Sequence, residues 1–253
     1  METITKALVR ARQSVSIPDI AQPFADSFRS SRPLRPKPPE LRPTHAVSLD
    51  ENHLRRNHVI TFDPGAAPTR HYDLLRRQLA RHARHAPPLI VCVSAPGHGC
   101  GTTTTAINLA FSFARGRGER VVLTDAHAGA TEIRNRLGLP QHFWHEGPLA
   151  VEDETVTASL QSVSLRVADL RAADDPITEA RRRFEEATVV VIDLPPLLGG
   201  DSASGSLNSA PDAIVVVLAE GRTTLSEVEQ AKSLLDRREG VQFVLNGCGF
   251  HGL

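Results

Sequence analysis

The 253-residue chain is poor in aromatic side chains, which make up 4% of it, and holds one tryptophan (Trp144), one methionine (Met1) and one tyrosine (Tyr72). It has no excess charge of either sign, with 29 basic against 29 acidic residues. A global basic excess is the footprint of nucleic-acid binding, so its absence argues against that partner. No run of about 18 apolar residues occurs, and this excludes a membrane-spanning helix by length. Met1 to Gln13 is charged and has no apolar centre, so it does not read as a secretory signal. The three cysteines, Cys92, Cys100 and Cys248, have neither metal-type spacing nor an even count. They fit a reducing, cytoplasmic setting. Lysine is scarce: Lys232 is the only one after residue 60.

What is present divides in two, an extension over 1–60 and an α/β domain over 61–253. Length alone suits one good-sized domain with an extension. Thr3 to Gln13 reads as a short helix, with Ile4, Leu8 and Ala11 on one side. From Phe28 to Thr44 five prolines alternate with Arg29, Arg32, Arg35, Lys37 and Arg42. Prolines remove backbone donors and favour extended chain, so this is a basic, semi-rigid linker. It serves either as a solvated tether or as a docking segment for an acidic partner, a proline-binding module or anionic lipid. A helix is predicted over 71–86, stopped by Pro87 and Pro88. Beyond it, short Val/Ile/Leu runs alternate with helical stretches to the end of the chain. That alternation predicts a doubly wound, mostly parallel sheet with helices on both faces.

The most informative segment is Val91 to Ala110, VCVSAPGHGCGTTTTAINLA. A buried strand runs through Gly97, Gly99 and Gly101 into a helix opening at Thr102, Thr103 and Thr104. Glycines let backbone N–H groups turn inward, and a helix N-terminus adds donors and a positive dipole, as phosphate binding requires. Against the pattern G-x-x-x-x-G-K-[ST], Gly101 precedes the helix and Thr102 stands where lysine belongs. Thr103 holds the hydroxyl position. Two later strands end in carboxylates, Asp125 and Asp193, which places both at the ligand crevice of an open α/β sheet.

These motifs resemble those of the cytoplasmic tyrosine autokinases of bacterial exopolysaccharide and capsule synthesis, the BY-kinases, which are relatives of the MinD/ParA ATPases. The resemblance covers roughly 74–247. It rests on SAPGHGCGTTTTAINLA, VVLTDAH, VVVIDLPPLLGGDS, the Gly221-Arg222-Thr223-Thr224 turn and Val244-Leu245-Asn246, in matching order and spacing. It implies a nucleotide site of Gly97, Gly99, Gly101, Thr102, Thr103, Thr104 and Asn246, with Asn246 at adenine. It implies Mg2+ on Thr103, Asp125 and Asp193, with ATP as the cofactor and Asp125 as the catalytic group of an active member. It further implies a membrane polysaccharide co-polymerase or chain-length partner that recruits a cytoplasmic protein to the inner membrane. Self-assembly, or assembly with a related subunit, would use the segment Arg70 to Arg76.

The departures fall on the chemistry. Thr102 replaces the phosphate-contacting lysine, Cys100 the acid of the loop, and His127 the second acid of the V-D-A-D motif. Ala128-Gly129-Ala130 replaces an arginine-rich stretch. A lysine about 4 Å from a phosphate is worth ~4 kcal/mol at an effective dielectric near 20, or about a thousandfold. The family's tyrosine-rich tail has no counterpart, since no tyrosine follows Tyr72. Arg70-His71-Tyr72-Asp73 reverses the first charges of the family's assembly helix, while Arg76 is retained. The expected function is a catalytically impaired regulatory or scaffold partner in polysaccharide export. The alternatives are a working ATPase or tyrosine kinase with an unusual loop, and a MinD/ParA-like positioning ATPase. The pairs His82/His85 and His142/His145 lack a completing acid or thiol and read as surface histidines. His98 and Cys100 read as tolerated occupants of the loop, with a redox or metal role as the other reading. Ser202, Ser204 and Ser206 read as loop residues.

Overall fold

A computed structural model describes residues 45–82, 87–116, 118–127, 132–140, 155–171, 173–198 and 207–247. The readings of Thr3–Gln13, the proline-rich segment, Ala128–Ala130, His85, His142, His145 and Ser202–Ser206 fall outside them. The strands are β1 (His45–Ser48), β2 (Leu89–Ser94), β3 (Val121–Asp125), β4 (Val156–Leu160), β5 (Val163–Asp169), β6 (Val189–Asp193), β7 (Ala213–Ala219) and β8 (Val241–Asn246). The helices are α1 (Glu51–Arg56), α2 (Thr69–Ala80), α3 (Thr102–Ala114), α4 (Glu132–Leu137), α5 (Pro176–Arg183) and α6 (Leu225–Leu235).

All eight strands join one sheet in the order β1-β4-β5-β3-β6-β2-β7-β8. The run from β5 to β8 is parallel throughout. Its central strands are Val/Ile/Leu runs because both faces are covered. Val91, Val93, Val189, Val191, Val215 and Val217 pack with α1 to α4, while Ile90, Cys92, Val190, Ile192, Ile214 and Val216 pack with α5 and α6. This is the doubly wound, mostly parallel sheet expected from the sequence, and Phe111 and Phe184 fill the two layers.

One edge differs from a purely parallel reading. β4 and β5 pair antiparallel, and β1 pairs with β4. The hairpin turns on Gln161, whose φ is 55°. Buried and half-buried positions alternate along β4, as an antiparallel strand with one covered face requires. A Gln-Ser turn carries none of the usual hairpin signals, so the sequence offered no warning of it. Residues 45–59, placed above with the extension, pack into the domain: Leu49, Leu54 and Val59 are buried in the core. Helix α2 begins at Thr69 and ends at Ala80, short of the stretch predicted to reach residue 86.

Asn108, buried on α3, ties this N-terminal segment down. Its Oδ1 accepts from the backbone N–H of Ile60 at 2.8 Å and of Thr61 at 3.1 Å. Its Nδ2 donates to His58 O at 2.9 Å. A buried backbone donor left without a partner costs about 1–3 kcal/mol. Asn108→Ala is therefore expected to lower unfolding stability by roughly 2–4 kcal/mol. Denaturant titration would show this as a fall in midpoint at unchanged slope.

Candidate functional site

The site lies at the carboxyl ends of β2, β3 and β6, where β2 connects through α3 to β3 on one side and its neighbour β6 connects to β7 on the other. Open α/β sheets place ligands at such a switch point. β2 leads into the glycine loop, and Gly99 and Gly101 take positive φ values of 73° and 87°. Gly101 caps α3. Its φ of 87° favours glycine, and a Cβ there would stand 2.1 Å from Asn246 Nδ2 and displace that amide. Thr102, Thr103 and Thr104 form the first turn of α3 and are half-buried.

Strand register brings the two carboxylates together. Asp125 on β3 pairs with Asp193 on β6, which pairs in turn with Val93 on β2. Residues in register on neighbouring parallel strands project from the same face, so both carboxylates stand beneath the glycine loop. Asp193 is wholly buried, and neither of its oxygens has a hydrogen-bond partner; the Thr103 hydroxyl lies close by without closing a bond of ordinary geometry.

His127 turns into this pair. Its backbone N–H donates to Asp125 Oδ1 at 2.9 Å. Its Nδ1 lies 3.1 Å from Asp125 Oδ1 and 3.8 Å from Asp193 Oδ2. Burial works against the charged imidazole, but the Asp125 hydrogen bond and the charges of Asp193 and Asp125 outweigh it and raise its pKa. Burial pushes Asp193 up to about 7; His127 and the Thr103 hydroxyl pull against that rise, and Asp125 adds to it. A buried acid with a neighbouring histidine is a pattern of functional sites.

The turn after β7 and the first turn of α6 contribute two residues to which the sequence assigns no role. Arg222 Nη1 donates to Gly99 O at 3.3 Å, and its guanidinium lies over the loop. Glu227 places its carboxylate 3.6 Å from where a Cβ of Gly97 would be. It also closes a capping box with Thr224 at the start of α6. The loop thus carries a cation from within the chain, an arginine where a replacement lysine is lacking, and an anion close to it. The quoted Gly221-Arg222-Thr223-Thr224 turn was the available signal. Asn246 Nδ2 donates to Cys100 O at 2.9 Å and so binds the end of β8 to the loop. Cys100 is buried, with its sulfur 3.7 Å from Thr223 Oγ1, whereas His98 is exposed.

The helix matched to the family's assembly segment uses its reversed charge internally. Asp73 accepts from Ser112 Oγ at 2.7 Å and from Arg115 Nη2 at 2.5 Å. Tyr72 packs against the core, and burial raises its pKa despite a hydrogen bond with Thr105. Arg70, His71, Leu74 and Arg77 remain exposed. No helix among the described residues is long and apolar enough to cross a membrane.

No sequence-family profile and no curated protein matches the chain. Its likeness to solved structures is one of shape. The chimerical protein CapA2B2 superposes with a TM-score of 0.60 at 16% identity, over 81% of this chain and 94% of that one. The kinase domain of the Escherichia coli tyrosine kinase ETK gives 0.57 at 17%, over 76% and 80%. The kinase domain of VpsO gives 0.55 at 19%, over 79% and 100%. Identities this low establish the fold alone. The chain is therefore built on the phosphate-loop α/β fold of bacterial tyrosine-kinase domains.

Proposed function

We propose that this chain is a regulatory or scaffold partner in exopolysaccharide or capsule export, carrying the kinase fold without its Mg-nucleotide chemistry. The observation that carries the reading is the position of His127, with Nδ1 at 3.1 Å from Asp125 and 3.8 Å from Asp193. Mg2+ takes oxygen ligands in a near-ideal octahedron and keeps several waters. Here the two carboxylates that would face it share their space with an imidazole. The residues present do not fit that ion, and Thr102 supplies no charge to a phosphate. No catalytic step follows from such a site. Binding to a membrane co-polymerase or to a second subunit would then be the output, through surfaces such as the exposed face of α2.

The purified chain incubated with ATP and Mg2+ tests this. The expected result is no phosphotyrosine on Tyr72, the only tyrosine, and no ADP release above that of Asp125→Asn. ADP release by wild type that Asp125→Asn abolishes would overturn the reading. A second reading, a working ATPase, draws on Arg222, whose guanidinium reaches the loop without help from a neighbouring subunit. Under that reading Arg222→Ala removes the ATP turnover that wild type shows.

A further inference from the structure

The geometry points to a binding site for a divalent first-row transition ion, zinc being the best match, held by Asp125, His127 and Asp193 without nucleotide. This rests on the reading above only in that the site is not given over to magnesium. Among the described residues these three form the one cluster of such side chains close enough to share an ion, with their ligand atoms all within 4.8 Å of one another. Two ligands of a tetrahedral zinc ion, each at about 2.0–2.2 Å, stand roughly 3.3–3.6 Å apart. The observed 3.1 and 3.8 Å from His127 Nδ1 to the two carboxylates straddle that separation. The third separation, between the two carboxylates, lies within 4.8 Å.

The orphaned oxygens of Asp193 supply a second, independent sign of a ligand. Both are buried without a hydrogen-bond partner. A buried carboxylate needs a counter-charge; the His127 imidazole, 3.8 Å away, is the one at hand, and a coordinated ion would supply a stronger one. The donor set then selects the ion. Imidazole nitrogen with carboxylate oxygen suits zinc and its neighbours, whereas magnesium favours oxygen alone. The scaffold is also rigid where it needs to be. Asp125 and Asp193 end adjacent central strands, and the His127 backbone N–H is pinned to Asp125. Three protein ligands leave a coordination position for water or for the oxygen of an anion. His127 thus reads as a ligand in place of the acid it replaced.

The test uses the full chain, stripped with chelator and titrated with zinc by calorimetry in the absence of nucleotide. One zinc ion per chain is expected, at micromolar affinity or tighter, and millimolar magnesium should not displace it. His127→Gln and Asp193→Asn should each weaken binding by roughly 100-fold or more, since even residues that only support metal ligands cost 10–100-fold. Cobalt substitution gives a readout on wild type alone, should either variant fail to fold: visible bands of a nitrogen/oxygen site at one ion per chain are expected. Zinc affinity unchanged in both variants would place the ion elsewhere and overturn the proposal. Absence of micromolar zinc binding or of cobalt bands would overturn it too. Magnesium-ATP binding by wild type would contradict the functional reading without touching the zinc result. Failure of zinc with no magnesium-ATP binding would remove the metal site alone.

Discussion

Asp193→Asn is expected to make the metal-free protein more stable at pH 8, by about 2–3 kcal/mol, although it removes the central acid of the site. Burial raises the Asp193 pKa from the ordinary 3.8 to about 7. A tenfold change in proton affinity is worth about 1.4 kcal/mol, so holding this carboxylate ionised costs at most ~4 kcal/mol. The buried asparagine amide, itself short of partners, gives some of that back. The fold binds more protons here than the unfolded chain between the two pKa values. Stability is therefore greatest below about pH 4 for this group and falls as pH rises through about 7. His127 acts in the same sense. Its raised pKa favours the fold below its ordinary value near 6.5, and that contribution disappears as pH passes the folded value. Thermal unfolding in EDTA from pH 5 to pH 8 tests this. Wild type should lose stability across the range, and the variant should follow a flatter curve with a midpoint roughly 4–12 °C higher at pH 8. A variant less stable than wild type at pH 8 would show that the attraction of His127 outweighs the cost of burying the Asp193 charge.

The second large effect is a gain. Thr102→Lys combined with His127→Asp should bind Mg-ATP at least a hundredfold more tightly than wild type. The lysine accounts for most of it, at ~4 kcal/mol for a charge about 4 Å from a phosphate. The aspartate returns the site to oxygen ligands, which magnesium requires. Thr102→Lys alone should gain less, because the imidazole still stands between the carboxylates. The double variant also places a third acid beside Asp125 and Asp193. Magnesium should therefore raise its unfolding midpoint, while that of wild type stays unchanged. Nucleotide affinity equal in all three proteins would mean that neither substitution governs the site.

The sheet was legible because its strands are buried on both faces and read as unbroken Val/Ile/Leu runs between helices. The glycine loop and the two strand-end acids were legible for a related reason. Each depends on position within a strand-to-helix or strand-to-loop junction, and the sequence shows such junctions directly. The β4–β5 hairpin was hidden by a turn without glycine, asparagine or aspartate. β1 and α1 were hidden by their shortness, and what holds that segment is long-range: pairing with β4, and Asn108, 47–48 residues away from the backbone it binds. At the site, His127 was visible as a missing acid but not as an imidazole turned between two carboxylates. That contact depends on the register of β3 and β6, which no local pattern encodes. Arg222 stood in a quoted turn without a role because the approach of that turn to the glycine loop spans 123 residues of sequence.

Whether the native loop and its three-residue cluster engage Mg-ATP separates a scaffold from a working nucleotide site. Calorimetric titration of the wild-type chain with Mg-ATP, up to millimolar nucleotide, measures this directly. No binding below millimolar concentrations is the predicted result. A saturable micromolar isotherm at one nucleotide per chain would contradict the account and would assign the loop, with Arg222 as its cation, to a working nucleotide site.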